Sequence, residues 1–109
     1  MKKIYRLVSN DDFSLVVKKG RTLKDDSFTI HFLKNDLSHS RVGISASTKL
    51  GHAVVRNKIR RQIRAIVDQK LDFNNIAFDI VIIARNGFLT HSFQDNKNTL
   101  NYLLDKIVC

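Results

Sequence analysis

Apolar residues recur with helical spacing near the N-terminus, in residues 10–19. Three of them fall on one side of this segment: Phe13, Val16 and Val17. Ser9 and Asp12 have the spacing of a weak capping box at its start, and Gly20 follows two lysines at its end. The pattern therefore predicts a short helix over residues 10–19.

Two later segments alternate with the period of a β-strand. Every second residue of the segments 28–33 and 42–47 is apolar, which predicts two half-buried strands. Residues 35–40 between them have the polar composition of a turn. Residues 80–84 form a continuous apolar run, which fits a strand buried on both faces.

Helical periodicity returns in residues 54–67 and again near the C-terminus. At 100° per residue, the apolar residues of the first segment fall within about 120° of one another: Val55, Ile59, Ile63, Ile66 and Val67. In the second, five apolar residues lie largely along one side: Phe93, Leu100, Leu103, Leu104 and Ile107. The predicted order is helix, two or three strands, helix, strand and helix, which is typical of an α+β fold. Because the chain has no proline, linker or repeat, it is predicted to be one domain over residues 1–109.

Positive charge is concentrated in the middle of the chain. The net charge is +9 at pH 7, and segments 1–36, 37–67 and 68–109 carry +3, +7 and −1. The middle segment has no acidic residue and seven uncompensated basic ones: Arg41, Lys49, Arg56, Lys58, Arg60, Arg61 and Arg64. A field of one sign on one segment suits a polyanion, so the leading interpretation is a nucleic-acid partner.

The basic residues of the predicted helix over 54–67 lie opposite its apolar stripe. Arg56, Arg60 and Arg64 are spaced i, i+4 and i+8 and form one ridge, with Lys58 at the edge of the cationic side. Arginine suits bidentate phosphate contact and stacking on bases. Two other interpretations stay open: an exposed face with an accidental charge bias, and a basic helix that binds an anionic membrane or an acidic groove. The stripe lacks an aromatic residue and is needed for the core, which weighs against the second.

The sequence also argues against a membrane-spanning or secreted protein. No run approaches the 18 apolar residues of a membrane span, and no secretory signal follows the N-terminal Met-Lys-Lys. The single cysteine, Cys109, allows no internal disulfide. The expected compartment is therefore the reducing cytoplasm.

No catalytic or metal site is predicted within the protein. The four histidines lack ligand spacing, and one cysteine makes no zinc site. Asp25–Asp26 is interpreted as a loop, Ser45 and Ser47 have no nearby base, and no glycine-rich phosphate loop is present. Four phenylalanines are expected in the core or at its edge: Phe73, Phe78, Phe88 and Phe93.

Four stretches of the chain carry a family resemblance: DDF at 11–13, RVGISAS at 41–47, KLGHAVVRNKIRRQIR at 49–64 and DIVIIAR at 79–85. With them the chain resembles the protein subunit family of bacterial ribonuclease P. The resemblance implies a mixed four-stranded sheet with three helices in the order α-β-β-β-α-β-α. It also implies a left-handed β-α-β crossover, against the usual right-handed rule.

The resemblance further implies a subunit without its own active site. Its partners would be a catalytic RNA and the 5′ leader of precursor tRNA, with no membrane and no protein partner required. Magnesium ions bound mainly by the RNA would perform the hydrolysis that frees the mature 5′ end. The protein would raise the affinity for precursor tRNA and for Mg²⁺ and broaden substrate use.

The resemblance also assigns residues to two surfaces. The RNA subunit would be bound by Lys49, Arg56, Asn57, Lys58, Arg60, Arg61 and Arg64, with Gly51 and Ala53 allowing a tight turn into the helix. A cleft between the first helix and one sheet face would bind the leader through Phe13, Val17 and His31. Alternation places His31 on the face opposite Phe28 and Ile30. The chain departs from the family pattern at four of its positions: Val17, His31, Thr48 and Lys58.

A stand-alone DNA- or RNA-binding module is the alternative, and it would show no preference for precursor over mature tRNA. A protein nuclease with its own metal site would need clustered carboxylates, which the sequence does not assemble.

Overall fold

The structure is a computed structural model that describes residues 1–108. Its helices are α1 (Asn10–Lys19), α2 (Ala53–Lys70), α3 (Gly87–Thr90) and α4 (Phe93–Val108). Its strands are β1 (Arg21–Lys24), β2 (Phe28–Lys34), β3 (Arg41–Ala46) and β4 (Phe78–Ala84). Two 3-10 turns, Lys3–Tyr5 and Thr48–Leu50, precede α1 and α2. The predicted helices and strands are confirmed, and the one-turn α3 is an addition.

The four strands form one mixed sheet in the order β1-β2-β4-β3. β2 pairs antiparallel with β1 and β4, whereas β3 and β4 pair in parallel. The two parallel neighbours are connected through α2, so the chain contains a β-α-β crossover. This arrangement confirms the α+β fold and the four-stranded sheet. The left-handed sense of the crossover stays a prediction.

Helices cover both faces of the sheet. On one face, the main hydrophobic cluster joins Ile82 of β4 with Ile63 of α2 and Leu100 of α4. On the other face, Val16 of α1 packs against Val81 of β4. Val81 and Ile82 are both fully buried, which confirms that β4 is buried on both faces.

The ends of α1 follow the signals in the sequence. The hydroxyl of Ser9 accepts a hydrogen bond from the backbone N–H of Asp12. At the other end, a Cβ on Gly20 would lie 2.4 Å from the carbonyl oxygen of Val16 and 2.8 Å from that of Phe32. Only glycine lets the chain leave α1 this close to β2, so Gly20 fixes where α1 lies on the sheet.

Two apolar residues lie further outside the core than predicted. Phe93, the first residue of α4, is 43% exposed, and Val55 at the start of α2 is also exposed. Both line a groove between α2 and the α3–α4 segment, where no third element of the described chain covers them. Phe73 and Phe88 are buried as expected, and Phe78 is half-buried.

Candidate nucleic-acid interface

A tight turn leads into α2. The 3-10 turn before it buries Leu50 and leaves Lys49 exposed. Gly51 then has a φ of 141°, a conformation that favours glycine. A Cβ on Gly51 would also lie 3.1 Å from the Cβ of Val55. The tight turn expected at Gly51 is therefore present, and α2 begins two residues later at Ala53.

α2 has a buried side and a cationic side. The buried side consists of Ile59, Ile63, Ile66 and Val67. The cationic face, as we name the set Arg56, Asn57, Arg60, Arg61 and Arg64, runs from the flank of α2 beside the buried side to the exposed crest of the helix. The first turn of α2 contains no acidic residue, so the partial positive charge of the helix N-terminus adds to the field.

The arginines of the cationic face keep their charge uncompensated within residues 1–108. The ion pairs among residues 1–108 all lie outside the cationic face: Met1–Asp68, Arg41–Asp12, Arg41–Asp79 and Lys70–Asp105. Arg60 donates a hydrogen bond to Oδ1 of Asn57, which orders both side chains and cancels no charge. The cationic face can therefore accept an external anion.

The ridge of Arg56, Arg60 and Arg64 is partly buried, whereas Arg61 is exposed. The Nε of Arg56 is buried and has no hydrogen-bond acceptor among the described residues. An unsatisfied buried donor costs about 1–3 kcal/mol. Arg56 thus has one donor that the described part of the protein leaves without an acceptor.

Two grooves border the cationic face. Lys58 lines one of about 350 Å³ between α2 and the α3–α4 segment. Arg64 lines the other, of about 130 Å³, together with Arg6 and the edge of β3. Arg6 is held there by a backbone bridge to Val42. Arg6 is not among the predicted site residues, because a contact between residues so distant along the chain leaves no local signal in the sequence.

Arg41 is not a free cation, so the prediction of seven uncompensated basic residues is wrong at this position. Its Nε and Nη2 donate to the two carboxylate oxygens of Asp79 at 2.9 and 2.7 Å, and its Nη1 donates to Asp12 at 3.3 Å. The hydrogen bonds to Asp79 are the main reason that the pKa of Arg41 is raised. The contacts of Arg41 connect β3 to β4 and to α1.

Phe13 and Val17 are residues of α1, and His31 lies on the sheet face against which α1 packs. A Cβ on Gly43 would lie 3.2 Å from two atoms of the Phe13 ring, so the ring packs over Gly43 of β3. Val17 is exposed one turn further along α1. His31 lies opposite Val81 in the β2–β4 register, and Val81 lies opposite Gly43. His31 on β2 and Gly43 on β3 are therefore two inter-strand spacings apart, roughly 10 Å across the sheet.

The imidazole of His31 is expected to be neutral at pH 7. Its Nδ1 lies 3.0 Å from the hydroxyl oxygen of Thr22. Burial, and secondly the charge of Lys24, lower its pKa from the ordinary 6.5. His31 therefore binds a proton more tightly in the unfolded chain than in the folded protein. The contribution of His31 to stability is complete above pH 6.5 and is lost as the pH falls through the folded pKa.

An NMR titration of the imidazole resonances checks this expectation. The pKa of His31 should lie below 6.5, and Lys24→Met should raise it because a nearby positive charge is removed. Lys34→Met removes an exposed charge from β2, the strand that contains His31, and should leave the pKa of His31 nearly unchanged. A pKa at or above 6.5 in the unmodified protein would contradict the assignment.

Residues 1–108 offer neither a metal cluster nor a membrane-spanning helix. No group of three or more His, Cys, Asp or Glu side chains in this range could hold a metal ion. No helix in it is long and apolar enough to cross a membrane. Asp25 instead caps its own loop, because its Oδ1 accepts from the backbone N–H groups of Ser27 and Phe28 at 2.9 and 2.8 Å.

An α+β scaffold with an uncompensated arginine face defines a protein of the polyanion-binding class. The family profile described as Ribonuclease P matches residues 1–108. The ribonuclease P protein component of Streptococcus agalactiae serotype III is 40% identical over 105 residues, covering 95% of this chain and 94% of the relative. That of Mesoplasma florum is 42% identical over 104 residues, covering 94% and 93%. The chain belongs to the ribonuclease P protein family.

Solved structures have the same fold. A ribonuclease P protein mutant of Staphylococcus aureus with defective mRNA degradation activity has a TM-score of 0.87 and 35% identity, covering 96% of this chain and 89% of that one. The ribonuclease P protein of Thermotoga maritima has a TM-score of 0.81 and 33% identity, covering 93% and 96%. This likeness confirms the expected fold class. The chain has a role in ribonuclease P as a protein component.

Proposed function

We propose that this chain is the non-catalytic, RNA-binding subunit that assists the catalytic RNA of ribonuclease P in removing the 5′ leader from precursor tRNA. The observation that carries the proposal is the cationic face, whose four arginines have no acidic partner within residues 1–108. Neutralising phosphates there would release counterions, which drives association with nucleic acid. The active site would lie in the RNA, so the protein alone would be inactive.

The RNA subunit would lie along α2 and the turn before it. Its contacts would come from Lys49, Arg56, Asn57, Lys58, Arg60, Arg61 and Arg64. A guanidinium presents a planar fork that matches two phosphate oxygens, whereas Lys58 offers a point charge. Because Ile59, Ile63, Ile66 and Val67 are buried in the core, the RNA would approach α2 from its exposed side.

The 5′ leader would bind in the cleft beside α1, through Phe13, Val17 and His31. Aromatic stacking contributes roughly 1–3 kcal/mol per base. Only Phe13 has a phenyl ring, Val17 cannot stack, and His31 is a smaller platform. We therefore expect leader affinity to depend on one stacking group and on charge more than on a row of aromatic rings.

Magnesium would be bound mainly by the RNA. Mg²⁺ prefers oxygen ligands and keeps several waters, and it commonly binds through phosphates. The protein would raise the affinity for Mg²⁺ indirectly, by holding RNA phosphates in place.

The assembly would act in the cytoplasm, without a membrane or a protein partner. A stand-alone nucleic-acid-binding module is the alternative function, since a cationic helix suits both. The two differ in selectivity, because only the ribonuclease P subunit needs to prefer precursor tRNA over mature tRNA.

Reconstitution with a bacterial ribonuclease P RNA at low magnesium tests the proposal. Adding the protein should raise the rate of 5′ leader removal, and the complex should bind precursor tRNA more tightly than mature tRNA. Incubation of the precursor with protein alone is the control, and it should leave the precursor intact.

Three other results would contradict the proposal or favour a different function. An unchanged rate at low magnesium would contradict the proposal. Equal affinity for precursor and mature tRNA would favour the stand-alone module. Magnesium-dependent cleavage by protein alone would place the active site in the protein.

A further inference from the structure

Large apolar side chains are gathered at one exposed groove beside the cationic face. Val54 is 81% exposed, Leu89 51% and Phe93 43%, and all three line the groove of about 350 Å³ between α2 and the α3–α4 segment. Isolated exposed apolar residues are ordinary on protein surfaces, whereas apolar residues gathered around one groove with a few polar groups are typical of a ligand site. The volume lies in the range of small-ligand sites.

The floor of this groove, which we name the α2–α4 groove, is firmly built. Phe88 and Ile59 are buried beneath it and belong to the main hydrophobic cluster. Asn96 is also buried, where its Nδ2 donates to the carbonyl of Phe88 and its Oδ1 accepts from the hydroxyl of Ser27. The exposed apolar residues therefore line a surface whose supporting side chains are fixed.

The rim of the α2–α4 groove carries free polar groups. Lys58, Gln62 and His91 line it, and their side chains make no hydrogen bond with another described residue. Lys58 lies one turn from both Val54 and Gln62 along α2, so it places a cation directly beside the apolar surface. The groove thus combines an aromatic ring, an apolar wall and a small set of hydrogen-bonding groups.

These features match an unpaired nucleobase better than a second copy of this chain. A base has apolar faces that stack on an aromatic ring and a polar edge that bonds to amide, ammonium or imidazole groups. A second copy would carry the same net charge of +9 and bring a second cationic face close to the first, so like charges would oppose it.

We infer that the α2–α4 groove binds an unpaired nucleobase of the RNA whose backbone lies on the cationic face, with Phe93 as the stacking ring. The inference rests on the proposed RNA-binding function and adds a base-binding subsite to it. Phosphate contacts position an RNA, whereas base contacts in unpaired segments select it. This subsite would therefore let the protein distinguish a structured RNA with an exposed base from a uniform duplex.

Substitutions at Phe93 test the inference, with the affinity for a bacterial ribonuclease P RNA as the measurement. Phe93→Ala should weaken binding about five- to hundredfold, the range for loss of one stacked base. Phe93→Tyr keeps the ring and should bind within about twofold, whereas Phe93→Leu keeps apolar bulk without the ring and should resemble alanine. The salt dependence should stay unchanged in all three variants, because no phosphate contact is lost.

Tyr102→Ala is the matched control. Tyr102 is an exposed aromatic residue of the same helix, lies outside the groove and packs under the ammonium of Lys106. Its loss should leave the affinity unchanged. Cross-linking with RNA that contains 4-thiouridine gives a direct readout. The adduct should appear on the tryptic peptide of residues 86–97, which contains Leu89 and Phe93.

The outcomes separate this inference from the proposed function. If the unmodified protein fails to bind the RNA, the proposed function fails. If it binds but Phe93→Ala binds equally well, only the base-binding subsite is refuted. Retained affinity in Phe93→Leu would also refute stacking, and a dimer in sedimentation that Phe93→Ala dissolves would assign the groove to a second copy.

Discussion

Replacing Arg60 and Arg64 together by alanine is expected to weaken association with the catalytic RNA by about a hundredfold or more. Charge-assisted hydrogen bonds contribute about 1.5–3 kcal/mol each, and 1.4 kcal/mol corresponds to a factor of ten. Neither arginine takes part in an ion pair within residues 1–108, and the buried side of α2 is left unchanged. The fold should therefore survive, as circular dichroism can verify.

Filter binding over a series of salt concentrations measures this effect. Two lost phosphate contacts should lower the slope of log affinity against log salt by about 1.4–1.8 units. The matched control is Lys97→Ala with Lys106→Ala, which removes the same charge from α4. This control should change the affinity only a few-fold. Equal losses in the two double variants would show that net charge, and not a localised surface, drives binding.

Replacing Asp79 by alanine is expected to lower the free energy of unfolding by about 3 kcal/mol. Breaking a buried ion pair costs about 3–5 kcal/mol because the remaining charge is left uncompensated. The side chain of Asp79 is 11% exposed and that of Arg41 24%, and Asp12 remains 3.3 Å from Arg41, so water and Asp12 relieve part of that cost. Asn35 also loses the acceptor for its 2.9 Å hydrogen bond. Urea unfolding measures the change.

Asp105→Ala provides the comparison for this prediction. Its ion pair with Lys70 is as short, at 2.6 Å, but the two side chains are 55% and 34% exposed. Exposed pairs contribute about 1 kcal/mol or less. Similar destabilisation by both substitutions would mean that burial does not set the strength of the Arg41–Asp79 pair.

Elements with strong local signals could be predicted from the sequence. The ends of α1 follow from Ser9 and Gly20, and the five-residue apolar run at 80–84 identifies β4. β1 has a weaker signal, since it is only four residues long and Leu23 is its one partly buried residue. Its place in the sheet depends on pairing with β2, which local periodicity does not encode.

The cationic face could be predicted because all of its residues lie within three turns of one helix. The compensation of Arg41 could not, since Asp79 lies on another strand and reaches Arg41 only through the parallel β3–β4 register. The exposure of Phe93 was missed for a related reason. An apolar residue on the inner side of a helix is buried only where another element covers it, and α2 leaves an open groove beside the start of α4, where Phe93 stays 43% exposed.

The burial of one side of α2 has a consequence for the kinetics of RNA capture. Because Ile59, Ile63, Ile66 and Val67 anchor the backbone of α2 in the core, its guanidinium groups need no ordering of the main chain when a polyanion arrives. Long-range attraction should then guide the encounter and raise the association rate above that of uncharged pairs. This rate should fall steeply as the salt concentration rises. Changes to the outer charges would then alter the association rate without disturbing the scaffold.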